Sequence, residues 1–159
     1  MHRFFIPKQN FVNDEIIFPA DIAHQITHVL RLNLGDQVLI LDNAGMQYKV
    51  ELINSSNQSL SGRIISKELA GGEPNVRLGL FISLTQREKF EWILQKGTEI
   101  GVSDFVPFVS KRSLVNQNKF ENKSDRWEAI IREAAEQCGR ARTPQLRHPY
   151  KFNDALEYA

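Results

Sequence analysis

The stretch AGGEPNVRLGLFISL, residues 70–84, divides the chain into two kinds of sequence. Its first part, Ala70-Gly71-Gly72-Glu73-Pro74-Asn75, is small and flexible and then stopped by proline, as a linker between domains would be. Its second part, VRLGLFISL (76–84), is a near-continuous apolar run, the pattern of a strand in a parallel sheet covered on both faces.

Upstream the chain reads mostly as strand. RFFI (3–6), EIIF (15–18), QVLILD (37–42), MQYKVELI (46–53) and SLSGRIISKEL (59–69) are short apolar or alternating runs. Gly35-Asp36 and Asn43-Ala44-Gly45 supply turns, the second predicting a hairpin. One segment, ADIAHQITHVLRL (20–32), has helical spacing, with Ile22, Ile26, Val29 and Leu30 on one face. Strands and turns at this spacing predict a small barrel or sandwich over 1–70.

Downstream, strand and helix alternate. After 76–84 comes REKFEWILQKGTEIG (87–101), with Phe90, Ile93, Leu94 and Gly97 on one helical face. DFVPFV (104–109) is a second strand. SDRWEAIIREAAEQC (124–138) is a second helix with the stripe Trp127, Ile130, Ile131, Ala134, Ala135 and Cys138. QLRHP and FNDALEY begin a third strand–helix pair. This alternation predicts an α/β domain over 76–159 with a parallel sheet of about three strands, its edges and helix faces poorly covered. The whole reads as α+β followed by α/β, with 71–75 as linker.

Composition bounds the function. The chain is 42% hydrophobic and 25% charged, which suits a folded domain rather than disorder. Net charge is +1, from 20 Lys and Arg against 19 Asp and Glu, with the basic residues biased toward the C-terminal half. The single cysteine, Cys138, excludes an internal disulfide and fits a reducing compartment; its place on the helical stripe predicts a buried thiol. No apolar run reaches the ~20 residues of a membrane span, and the N-terminus lacks a signal-peptide core, so a cytoplasmic protein without membrane contact is expected.

Motifs narrow it further. His24 and His28 stand at i and i+4, a spacing that suits two metal ligands. Gln25 occupies the place of the glutamate that a zinc-protease motif needs, and no third ligand is near, so no metal is expected; the pair reads as solvated or RNA-facing. A metal hydrolase rests on this pair alone. No Walker loop, dinucleotide fingerprint or nucleophile elbow is present. Gly101 is the expected cap of the helix that ends in Lys96–Glu99, and Gly97 is expected to admit neighbouring backbone. Ser110-Lys111-Arg112-Ser113 follows a strand end, where open α/β sheets carry ligands. In EAAEQCGRARTP (133–144), Arg140 and Arg142 suit a helix C-terminus electrostatically, and equally a ligand-binding role.

Taken in order, RFF at Arg3–Phe5, H-x-x-x-H-V-L-R at His24–Arg31, the Gly35-Asp36 turn, KGTEIGV at Lys96–Val102, SKRS at Ser110–Ser113 and RW…EAAEQCGR at Arg126–Arg140 resemble the RsmE family. That resemblance implies a PUA-like RNA-binding β-barrel at 1–70 and the N-terminal part of a SPOUT (α/β knot) methyltransferase domain at 76–159. It implies methylation of N3 of a uridine in 16S ribosomal RNA, with S-adenosyl-L-methionine as cofactor, the small ribosomal subunit as partner and a homodimer as the assembly. Glu136, Gln137 and Arg140 are the implied catalytic residues; Arg3, His28, Arg31, Arg112 and Arg142 are the implied RNA contacts. The family's G-P-E-G-G loop and L-G-x-R-I-L-R-x-E-T-A segment, which hold the cofactor in the knot, are not in these 159 residues. The cofactor-binding residues are therefore expected beyond Ala159, and the chain alone is expected to be inactive. A non-catalytic RNA-binding protein of the same two modules is the alternative.

Overall fold

The computed structural model describes residues 1–56, 59–111 and 123–159. Two units emerge: Met1–Gly72 together with Gly139–Arg142, and Glu73–Cys138 together with Thr143–Ala159.

The first unit is a six-stranded mixed sheet. Its strands are β1 (Arg3–Phe5), β2 (Phe11–Val12), β3 (Glu15–Ile17), β4 (Gln37–Leu41), β5 (Met46–Ser56) and β6 (Ser59–Leu69). They pair in the order β1-β4-β5-β6-β3-β2, parallel only between β1 and β4. Among the described residues this path is open, so the expected barrel takes the form of a mixed sheet that does not close. Alternation sends Phe4, Ile16, Val38, Ile40, Val50, Leu52 and Leu60 into one core with Ile22 and Ile26. Register shifts at Lys49/Val50 and Leu52/Asn54 mark irregularities in the long β5–β6 hairpin.

Ile22 and Ile26 come from α1 (Ala20–His24), which continues as a π turn over Gln25–Val29. Leu30 N–H donates to the Gln25 carbonyl at 2.9 Å, a five-residue step, and Arg31 ends the helix at φ 55. Val29 does not share the buried face that its spacing predicts. Val29 is 65% exposed, because a π turn takes more residues per turn and carries position 29 off the α-helical face.

The second unit is a parallel sheet with helices. Strand β7 (Leu78–Ser83) leads to α2 (Arg87–Glu99), then β8 (Val102–Val109), α3 (Ser124–Cys138), β9 (Gln145–Leu146), β10 (Tyr150–Lys151) and α4 (Phe152–Tyr158). Both β9 and β10 lie parallel to β8, against its early and late residues, so the expected third strand is broken into two pieces. α2 and α3 bury Phe90, Leu94, Trp127 and Ile131 against Ile82, Leu84 and Phe105. Strand β7 is not covered on both faces as its apolar run suggested. It is the edge of the described sheet, and Leu78 and Phe81 remain 49% and 37% exposed. Cys138 is exposed rather than buried; it sits at the helix end, beyond the part of the stripe that meets the core.

Gly97 is required by a ring rather than by backbone. A Cβ there would lie 2.6 and 2.8 Å from Phe105 ring atoms. Gly101 caps α2 as expected, at φ 103 with its N–H on the Thr98 carbonyl.

Two carboxylates tie the second unit together. Asp104 on β8 accepts from Arg77 Nε at 2.8 Å and from Arg147 Nη2 at 2.8 Å, joining the chain before β7 to the chain after β9. Those hydrogen bonds, Arg77's first, hold its carboxyl below the usual range against the opposing effect of burial. Glu91 on α2 accepts from Arg126 on α3 at 2.7 and 3.0 Å and from Arg87 at 2.9 Å. The Arg126 hydrogen bond leads in lowering its pKa from 4.5 to about 2. A depressed carboxylate stabilises the fold above its unfolded pKa, and that contribution is lost as the pH falls through the folded value. The melting temperature of the wild-type chain should therefore exceed that of Glu91→Gln at neutral pH. The gap should close as the pH falls from 4.5 toward 2. A gap independent of pH would remove the ion pair as its cause.

Candidate functional site

The segment Gly139–Arg142, which leaves the end of α3, is part of the first unit. It packs close to backbone. A side chain on Gly72, which has φ 87, would run into the Gly139 carbonyl oxygen. The guanidinium of Arg3 lies over Gly139, its Cζ 3.5 Å from where a Cβ would be. Arg140 is buried, 3% exposed, and so is Ala141. Arg142 is exposed and its Nη2 donates to the Ala44 carbonyl at 3.2 Å.

The turn that receives Arg142 is fixed by Asp42. Its carboxylate is 1% exposed, and Oδ1 accepts from Ala44 N at 2.8 Å and from Met46 N at 3.0 Å. Asn43 at φ 58 and Gly45 at φ 107 make the reversal possible. Lys8 Nζ stands 3.8 Å from Oδ2. Burial, with the Asp42 charge and hydrogen bond behind it, pushes the Tyr48 hydroxyl up.

The first unit thus holds the guanidinium of Arg3 against Gly139 and that of Arg142 against the Ala44–Gly45 turn, with Arg140 buried in the segment that carries Arg142. His28 and Arg31 are both exposed at the end of the π turn. The His28 ring stacks on His24 at 4.6 Å and 9°, and its Nδ1 is 2.8 Å from Thr27 Oγ1. Among the described residues no group of three or more metal-ligating side chains occurs. Glu136 is half-buried and Gln137 exposed on α3, in the second unit. The implied catalytic residues are therefore divided: Glu136 and Gln137 belong to one unit and Arg140 to the other. Arg112 lies outside the described residues.

Two hollows of the second unit are lined wholly by described residues. One of about 500 Å³ at the start of α2 is lined by Gln86, Arg87, Glu88, Glu91 and Arg126. The other, about 350 Å³ between α2 and α3, includes Trp92, Gln95, Ile130, Glu133 and Gln137. Sequence reasoning missed Asp104, whose partners at 77 and 147 are brought together only by the parallel register. It also missed Asp42, for which a signal existed, since aspartate favours the position opening a turn.

Residues 72–159 match the RNA methyltransferase domain family, a span that nearly coincides with the second unit and covers more than half of the chain. The chain belongs to that family. Ribosomal RNA small subunit methyltransferase E of Bacillus subtilis is 35% identical over 99% of this chain and 63% of its own length. A crystal structure of the Neisseria gonorrhoeae protein of that name, bound to S-adenosyl methionine, superposes with a TM-score of 0.91 at 24% identity, over 100% of this chain and 65% of that one. A putative methyltransferase from Legionella pneumophila, in complex with SAM, gives 0.90 at 24% identity over 99% and 66%. The family member spans about two thirds of the length of each of these relatives. The two structural likenesses speak to the fold, and the RsmE resemblance seen in the motifs is borne out. No helix among the described residues is long and apolar enough to cross a membrane.

Proposed function

We propose that the protein carrying this sequence methylates N3 of a uridine in 16S ribosomal RNA, using S-adenosyl-L-methionine and acting as a homodimer in the cytoplasm. The observation that carries this is the family match over the second unit, joined to 35% identity with a ribosomal RNA methyltransferase along nearly the whole chain. The first unit is proposed as the PUA-like RNA-binding module and the second as part of a SPOUT domain.

Bound S-adenosylmethionine supplies the methyl group as a sulfonium. The two hollows lined by described residues do not fit it. The first is lined by charged and amide side chains, the second by these together with Trp92, Ile130 and Ala134, and neither has a glycine in its lining to let backbone approach an adenosine. The work left to this chain is positioning. N3 of uridine is a weak acid and must lose its proton before it can take a methyl group. A carboxylate and an amide on adjacent residues, Glu136 and Gln137, are the right types to accept from N3–H and to donate to a ring carbonyl of a base drawn out of a single-stranded region. Arg140, being buried, holds the segment that presents Arg142. Arg3, His28, Arg31, Arg112 and Arg142 are proposed to contact phosphate.

Label transfer tests this. Small ribosomal subunits incubated with methyl-labelled S-adenosylmethionine and the protein carrying this sequence should yield labelled 3-methyluridine. The 159-residue chain by itself should transfer none and bind the cofactor weakly or not at all in calorimetry. RNA retention without transfer by the whole protein would support the alternative, a non-catalytic RNA-binding protein. Micromolar cofactor binding by the chain alone would overturn the placement of the cofactor site beyond these residues.

A further inference from the structure

We infer that the Asp42–Gly45 turn is a positioning device for RNA binding: Asp42, which touches no ligand, aims the guanidinium of Arg142. This rests on the reading of Arg142 as a phosphate contact. An arginine at the surface ordinarily samples many rotamers, and ordering it on binding costs free energy. Arg142 is instead docked, its Nη2 on the Ala44 carbonyl and its Nη2 and Nε 3.5 and 3.9 Å from where a Gly45 Cβ would lie. The docking surface is itself held on both sides. Asp42 Oδ1 accepts from Ala44 N and Met46 N, Asp42 N donates to the Met46 carbonyl at 3.2 Å, and the Gly45 carbonyl accepts from Ala70 N at 2.9 Å. The charge of the buried Asp42 carboxylate, taken alone, opposes binding of a polyanion.

That opposition supplies the test, because charge and position predict opposite signs. Filter binding to an unmodified transcript of small-subunit ribosomal RNA would be measured across a salt series for the full chain and its variants. Arg142→Ala should weaken binding about 3- to 10-fold and reduce the slope of log K against log salt by about 0.7–0.9. Asp42→Ala should do the same, although it removes a negative charge. Asp42→Asn, which keeps the oxygen that receives the two amides, should bind within about twofold of wild type. The double variant Asp42→Ala/Arg142→Ala should be no weaker than Arg142→Ala, because the two act as one unit. Gly45→Ala, strained at φ 107, should reproduce the loss even if Asp42→Ala does not fold. Tighter or unchanged binding by Asp42→Ala or Gly45→Ala, or additive losses in the double variant, would overturn the inference while leaving the RNA-binding reading intact. No RNA binding by the wild-type chain at low salt would overturn both.

Discussion

Truncating Phe105 to alanine lowers the stability of the second unit by about 3–5 kcal/mol, the cost of removing a fully buried ring from a close-packed core. Phe105 is 0% exposed and belongs to the cluster formed with Phe90, Leu94, Trp127 and Ile131. Its edge fills the space that Gly97 leaves open on α2, and this gives the prediction a second, sharper half. In the wild-type chain Gly97→Ala forces a methyl to within 2.6 Å of the ring, and overpacking of that kind costs about 1–3 kcal/mol. In the Phe105→Ala background the ring is gone, and alanine's better helix propensity should make the same substitution stabilising by up to about 1 kcal/mol. Both tryptophans, Trp92 and Trp127, lie in the second unit, so denaturant unfolding followed by tryptophan fluorescence reads that unit selectively. A Gly97→Ala effect of the same sign in both backgrounds would mean that the ring is not what demands the glycine.

RNA affinity of the chain should fall steeply with salt. Of the five proposed phosphate contacts, the four arginines, Arg3, Arg31, Arg112 and Arg142, give a slope of about −3 for single-stranded RNA. Between about 50 and about 200 mM salt that removes roughly fiftyfold in affinity. With a net charge of only +1, such a slope cannot come from the bulk charge of the chain; it requires cations gathered where the RNA lies. Arg31→Glu should weaken binding further than Arg31→Ala, because the reversed charge repels the same phosphate. Equal affinity at low and high salt would remove the phosphate contacts from the account.

How much of this was legible in the sequence differs from element to element. Strand β6 and helix α3 carry the bounds that their patterns predict, Ser59–Leu69 and Ser124–Cys138, because period-2 and period-3.6 signals are local and strong there. What pattern cannot encode is what lies opposite. The apolar run of β7 looks like a central strand, yet the strand is an edge, and edge or centre is decided by chain far away. Val29 obeys helical spacing and still points outward, because the hydrogen-bond step changes to five residues after His24. Cys138 sits on the stripe of α3 but past its buried part. The largest gap concerns Gly139–Arg142. Its composition reads as a helix end, and nothing local states that these four residues belong to the first unit while their neighbours on both sides belong to the second. The candidate residues themselves, Glu136, Gln137, Arg140 and Arg142, were reachable only through the motif order, since the physics of a helix cap explains the arginines equally well.

Ribosomal RNA itself records whether the proposed methyl transfer occurs. Small-subunit RNA would be purified from cells with the gene for this protein intact and from cells with it disrupted, digested to nucleosides and compared by mass spectrometry. 3-Methyluridine should be present in the first and lost from the second, and return when the gene is restored. Unchanged 3-methyluridine after disruption would mean that this protein does not carry out the proposed methylation.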